Sequence, residues 1–367
     1  MSTAGLALGG LGLTLAGGIF LLTLIGAGAM FGPGALRLTM VLAFLPVPFY
    51  VMLVLWLDRV EREPLWLLAL AFVYGGTFAT CLAGVVNSMT SHLAGPAAAA
   101  VGSAPIFEEL FKGLFLLAIF LWRRQEFDGV LDGVIYASMV GLGFAAVENL
   151  EYYGRALLPD GSIHRFGTAS GDAAGNPGVA AVFLVRGVLS PYLHPMFTSM
   201  TGIGFGLAAH ARRAGEQALW PLGGYGLAVI LHAAWNGTAM LGSAGLFVGA
   251  YVVLFVPIFL GLIWLAWLAL RREERIVREH LLQDVESGLI PLRDYQVVAT
   301  LRSRAADLAA ARRIGGRALA RARKRLHQAL TELAFYRARV ARGLRHRDAA
   351  TEIELISAIR RIEQGMT

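Results

Sequence analysis

Apolar positions along this chain collect into long runs with few charged residues inside them. About 20 apolar residues carry a helix across a bilayer, and runs of that order fall at roughly 5–30, 36–57, 65–91, 104–122, 130–152, 190–210, 219–241 and 245–270. The pattern predicts an all-α polytopic membrane bundle of about eight transmembrane helices. Beyond Leu270 the chain turns to Arg, Ala, Leu and Glu, with a break at Glu286–Arg293 and then a helical pattern from about Tyr295 to Ile362. Gly315, Gly316 and Gly343 are the expected interruptions. Leu301, Leu308, Ile314, Leu319, Leu326, Leu330, Leu333 and Val340 can form an apolar stripe at helical spacing, which suits an amphipathic hairpin. Two domains are expected: a membrane domain over 1–270 and a cytoplasmic, Arg-rich helical tail over 271–367.

Arginines in the loops set the orientation. Arg59 and Arg62 follow the second run, Arg123 and Arg124 the fourth, Arg212 and Arg213 the sixth, and Arg271 and Arg272 the eighth. The alternate loops are poorer, with Arg37 after the first run and no Lys or Arg from Asn87 to Pro105 or from Gly242 to Gly245. A multi-pass protein of the cell membrane with both termini cytoplasmic is predicted. Met1–Gly10 lacks a positive leader segment, so the first run is read as a retained helix. The exception is 153–189, which carries Arg155, Arg165 and Arg186; its part from Pro159 to Gly178 is turn-rich and reads as an exposed loop. The run Val179–Leu189 is too short to span and is expected to be re-entrant or interfacial.

Composition agrees. Hydrophobic residues make up 56% of the 367 and charged residues 16%, with a mean hydropathy of +0.61, above the apolar share of a soluble domain. Of 32 Lys and Arg, 21 lie in 271–367, as do 12 of 25 Asp and Glu, so the tail carries 21 − 12 = +9 and the remainder 11 − 13 = −2. The pI near 9.8 therefore belongs to the tail. Solvated or self-packing helices fit the tail best, followed by contact with anionic lipid headgroups; no nucleic acid is expected, since no binding motif is present. The lone cysteine, Cys81, excludes an intrachain disulfide.

Ionisable residues inside apolar spans are expensive and mark function by default. Glu108, Glu109 and Lys112 open the fourth run, Glu148 closes the fifth, His194 begins the sixth and His232 lies in the seventh. With the orientation above, Glu109 is about 8 Å below the outer end of its helix and His232 about 14 Å, so all of them converge on the outer half. Two histidines and several carboxylates at one depth make a metal site or a general-base site, and imidazole with carboxylate suits zinc, which activates bound water. Adjacent glutamates point about 100° apart on a helix, which gives one the ligand or base role and the other a supporting one. Lys112 reaches either from one turn away. The bland alternatives are a neutralised pair and interhelical hydrogen-bonding residues.

Four segments together resemble the PrsW family of intramembrane metalloproteases: Glu108-Glu109-Leu-Phe-Lys112, Asp132 to Glu148-Asn149-Leu-Glu-Tyr152, His194-Pro-Met-Phe-Thr-Ser-Met-Thr-Gly202, and Leu231-His232-Ala-Ala-Trp-Asn236. Asp58-Arg-Val-Glu-Arg-Glu-Pro64 is similar to the family's Glu-Pro element. The family is distantly similar to the CAAX prenyl endopeptidases and the bacteriocin-processing membrane proteases. The resemblance implies an intramembrane endopeptidase acting on a membrane-embedded protein, such as an anti-sigma factor, near its extracytoplasmic side. It implies Glu108, Glu109, Glu148, His194 and His232 as the catalytic set, with a divalent metal, zinc for preference, on Glu109, His194 and His232. Lys112, Asn149 and Asn236 would support it, the two amides as oxyanion donors; a metal-free glutamate mechanism uses the same residues. A proton-coupled transporter or a non-catalytic scaffold in the bilayer is the alternative, although the chain shows no internal duplication of the kind transporters carry.

Overall fold

A computed structural model describes residues 3–158, 178–343 and 348–366. Among them no strand occurs, and the chain is an all-α polytopic membrane protein. The expected loop from Pro159 lies outside the described residues except for Gly178, its last position. Two compact units are present, Met1–Leu55 with Glu63–Trp264, and Trp56–Arg62 with Leu265–Thr367.

The helices of the first unit, in order, are α1 (Thr3–Phe31), α2 (Pro33–Phe44), α3 (Val47–Leu57), α4 (Leu65–Tyr74), α5 (Thr80–Ala97), α6 (Ala104–Trp122), α7 (Val130–Ala156), α8 (Gly178–Phe183), α9 (Leu193–His210), α10 (Ala214–Met240), α11 (Ala244–Ala250) and the start of α12 (Val256–Glu286). Seven helical stretches among the described residues are long and apolar enough to cross a membrane. One of them, Leu65–Trp122, has 58 residues, more than twice the ~20 of a single crossing. Gly95, at φ +90 directly before Pro96, bends it into two legs. With that division the stretches follow the eight apolar runs of the sequence. Large apolar side chains such as Leu22, Leu93 and Trp122 stay exposed, as expected where lipid is the solvent.

The centre of the unit is α7, buried along nearly its whole length. Small residues bring its neighbours close, as membrane helix packing requires. A Cβ on Gly133 would strike the backbone of Gly202 in α9, and one on Gly143 the backbone of Phe72 in α4. At Gly141 a Cβ would sit 2.6 Å from Pro195 N and 2.8 Å from the carbonyl carbon of His194. The glycines thus fix where His194 lies against α7. Gly141→Ala is expected to lower stability by about 1–3 kcal/mol through overpacking. Gly261→Ala, where nothing lies within 4 Å, is expected to raise it by several tenths through helix propensity. Thermal unfolding in detergent reads both signs.

Among the described residues four π-helical turns, at Gly75–Ala79, Ala98–Ser103, Leu184–Leu189 and Tyr251–Phe255, interrupt the spans. Such turns redirect the helix that follows and favour functional positions. Gly178–His210 forms one 33-residue apolar stretch, with α8 and the third π turn leading through Ser190 into α9.

In the second unit the end of α12 is followed by α13 (Leu292–Val298), α14 (Leu301–Ala341) and α15 (Ala349–Gln364). Thr300 caps α14 by accepting from Ser303 N at 3.1 Å, an ordinary N-cap. Within α14 the helix breaks at Gly315 (φ −122) and Gly316 (φ +66), a conformation glycine adopts without penalty. The two limbs then run antiparallel. Arg304 donates to Thr331 Oγ1 at 2.8 Å, Arg323 to Asp307 at 2.8 Å, and His327 Nε2 lies 3.0 Å from Asp307. Burial alone would raise the Asp307 carboxyl, but the bonds from Arg323 and His327 hold it below the usual carboxylate range. Leu326, Leu330 and Leu333 are buried, as the stripe requires, but Ile314 is 82% exposed. Ile314 directly precedes the glycine break, so it belongs to the turn and not to the packed face.

Candidate active site

Four helices of the first unit, α6, α7, α9 and α10, bring the singled-out residues together. Glu108 and Glu109 are neighbours on α6, about 100° apart around its axis, and they meet different partners. Glu109 is fully buried and both its oxygens are engaged: Oε1 accepts from Lys112 Nζ at 2.8 Å and faces His232 Nδ1 at 3.0 Å, while Oε2 accepts from Thr198 Oγ1 at 3.0 Å. Glu108 turns toward α5, where its Oε1 accepts from Asn87 Nδ2 at 3.0 Å. Its Oε2 is buried without a hydrogen-bond partner. Lys112 Nζ lies 3.8 Å from that oxygen and His232 Nε2 3.7 Å.

The two imidazoles are each held by a carboxylate. An ionised carboxylate only accepts, so the contact with Glu109 places a proton on His232 Nδ1, and in a neutral imidazole Nε2 is then the nitrogen that carries the lone pair. His194 Nε2 lies 2.9 Å from Glu148 Oε2 on α7, which by the same reasoning frees Nδ1, and Lys112 Nζ sits 3.0 Å from that atom. Phe197 stacks on His232 with centroids 5.0 Å apart, and Phe144 covers the Lys112 ammonium at 3.8 Å. Arg186, from the π turn before α9, ion-pairs with Glu148, donates from Nε to Asn149 Oδ1 at 2.6 Å and stacks over Tyr152 at 3.6 Å.

The donor atoms fit a cation. Glu108, His194 and His232 each offer one ligand atom, all within 4.8 Å of one another. Glu108 Oε2 is an orphaned buried acceptor at that point, and carboxylate-oriented imidazoles are the usual ligands of a bound metal. Charge agrees: three carboxylates, Glu108, Glu109 and Glu148, face two cations, Lys112 and Arg186, leaving one negative charge. Glu109 was the carboxylate expected in this set. Instead its two oxygens are already taken, and Glu108 converges with the histidines.

A cleft of about 400 Å³ reaches the site, lined among others by Asn87, Ser91, His92, Glu108, Glu148 and Asn236. Asn236 stands on it and donates to Ala100 O at 2.8 Å. Asn149 is turned to Arg186 and lines only a minor pocket behind His194. Sequence reasoning missed Arg186, counted as a loop charge, and also Asn87 and Thr198. For Arg186 a signal existed, since an arginine in an apolar run needs a counter-charge. A single Asn or Thr in a span carries none.

The comparisons with known proteins agree with this geometry. The family model for the PrsW family intramembrane metalloprotease matches residues 63–262, a segment that contains every residue of the site. A curated protein of Geobacillus kaustophilus, Protease PrsW, is 30% identical over 165 residues, 44% of this chain and 63% of that protein. Protease PrsW of Oceanobacillus iheyensis is 29% identical over 120 residues, 30% of this chain and 55% of that protein. The chain thus spans under two thirds of the length of these relatives. No solved structure matches it significantly.

Proposed function

This chain belongs to the PrsW family of intramembrane metalloproteases, and on that premise we propose that it is a membrane endopeptidase. Its centre would be Glu108, His194 and His232. The observation that carries the reading is Glu108 Oε2, buried without a hydrogen bond and close to two imidazoles whose other nitrogens meet carboxylates. Glu108, His194 and His232 would hold a divalent ion, zinc suiting the ligand types. When bound, it supplies Lewis acidity for water and for the scissile carbonyl. The chain's own groups do the rest. Glu109 and Glu148 fix the imidazole tautomers, Lys112 and Arg186 balance their charge, and the aromatic rings of Phe144 and Phe197 exclude water. Asn236, on the cleft, is the amide placed to donate to a carbonyl oxygen developing charge; Asn149 supports Arg186 instead.

The substrate would be a membrane-embedded protein, cut near the extracytoplasmic side as loop arginines orient the bundle, with an anti-sigma factor as one such substrate. The tail, over 271–367, would be cytoplasmic, with anionic headgroups as the partner of its exposed arginines.

A second reading dispenses with metal. It is favoured by the Lys112 ammonium lying 3.0 Å from His194 Nδ1, which places a cation on that lone pair already. Glu108 would then take the proton of a cleft water directly. Elemental analysis of the detergent-purified protein, prepared without chelator, separates the two. Near-stoichiometric zinc, lost in both His194→Ala and His232→Ala, is the expected result; no metal in any sample would sink the first reading.

A further inference from the structure

Between the cleft and α6 lies a hydrogen-bonded pair that the reading above does not use. Asn87, on α5, donates from Nδ2 to Glu108 Oε1 at 3.0 Å, and its Oδ1 accepts from Ser103 Oγ at 2.8 Å. Ser103 closes the π turn Ala98–Ser103 directly ahead of α6 and is buried. Among the described residues the other acceptor it reaches, Ala99 O, is 3.5 Å away, so the single hydroxyl proton goes to Asn87.

We propose that Asn87 and Ser103 are a positioning pair that sets the rotation of the Glu108 carboxylate, and with it the affinity of the site for a divalent cation. The inference rests on the metal reading of the site. The two ends of a carboxamide have nearly the same shape, and only its hydrogen bonds decide which end points where. Ser103 can donate to the amide oxygen. That leaves the NH₂ end, and not the oxygen, facing Glu108. Without the hydroxyl the amide oxygen loses its donor, and the amide is held from the Glu108 side without the second bond that fixes its position. Held as it is, Glu108 has Oε1 occupied on the α5 side and Oε2 presented to His194 and His232. Ser103 therefore acts through Asn87. Among the described residues its hydroxyl bonds to Asn87 and Ala99 and not to the histidines.

The test is Zn²⁺ affinity of the full-length protein in detergent, measured by competition with a chromogenic chelator. The samples are wild type, Asn87→Ala, Ser103→Ala, the double variant and His194→Ala. Partners that orient ligands cost about 10–100-fold in metal affinity when removed. Asn87→Ala is expected to fall in that range, Ser103→Ala to lose less, and the double variant to match Asn87→Ala. That last equality is the signature of one residue acting through the other, and a general loosening of the fold would not produce it. Thermal unfolding of Ser103→Ala, which removes one oxygen, is expected to stay near wild type. Unchanged affinity in either single variant, or losses that add in the double, overturns the proposal while the metal reading stands. Should Asn87→Ala fail to fold, Ser103→Ala decides alone, unchanged affinity there refuting the pair. Wild type without zinc, or His194→Ala with wild-type affinity, refutes the metal reading and this inference with it.

Discussion

Glu108→Gln is expected to abolish proteolysis, with a loss of about 10²–10⁴-fold whether the carboxylate acts as ligand or as base, and to leave the protein folded. Glutamine keeps the volume and still offers an oxygen to Asn87 Nδ2, 3.0 Å from Glu108 Oε1. What it removes is a buried oxygen that makes no hydrogen bond, so little stability goes with it. Glu109→Gln is the contrasting case. There the charge removed is bonded to Lys112 and His232, and a buried partner left unpaired costs about 3–5 kcal/mol. Glu109→Gln should therefore lose both cleavage and thermal stability, Glu108→Gln cleavage alone. New peptide termini in membranes expressing wild type or either variant, set beside unfolding midpoints, distinguish them. Cleavage that survives Glu108→Gln would remove Glu108 from the centre of the site. A transporter or scaffold would produce no such termini with wild type either.

The layout of the chain was largely legible because a bilayer imposes one requirement, satisfied backbone over about 20 apolar residues, and hydropathy reports it directly. The ionisable residues stood out for the same reason: Glu108, Glu109, Lys112, Glu148, His194 and His232 are conspicuous against an apolar background. Their roles were not legible. Which of two adjacent glutamates keeps an oxygen without a hydrogen bond beside the histidines depends on the partners that α5, α9 and α10 bring, Asn87, Thr198 and His232, and no periodicity announces those. Arg186 was misread because its run is short; the π turn Leu184–Leu189 and the pairing with Glu148 place it in the site. Asn87 and Ser103 are small polar residues in a span, indistinguishable in sequence from helix glue. Ile314 fits the spacing of the stripe but stands directly before the glycine pair where the helix stops, so the turn exposes it.

Lys112→Met is expected to destabilise the protein by about 3–5 kcal/mol, and the destabilisation should be reversed in part by zinc. Lys112 is fully buried, bonded to Glu109 at 2.8 Å and 3.8 Å from Glu108. Without it, three carboxylates face Arg186 alone, and the site carries two uncompensated negative charges in place of one. Methionine fills the space under Phe144 but brings no charge. A divalent cation bound by Glu108, His194 and His232 would restore the balance, and because it binds only the folded protein it raises stability by mass action. Zinc should therefore lift the unfolding midpoint of Lys112→Met more than that of wild type, where the ammonium beside His194 Nδ1 competes for the same lone pair. If the ammonium is itself the working cation, the outcome differs. Zinc would then give Lys112→Met no larger shift than wild type, and cleavage would not return. The size of that zinc shift, read by thermal unfolding with and without the ion, separates a lysine that balances a metal site from one that stands in for the metal.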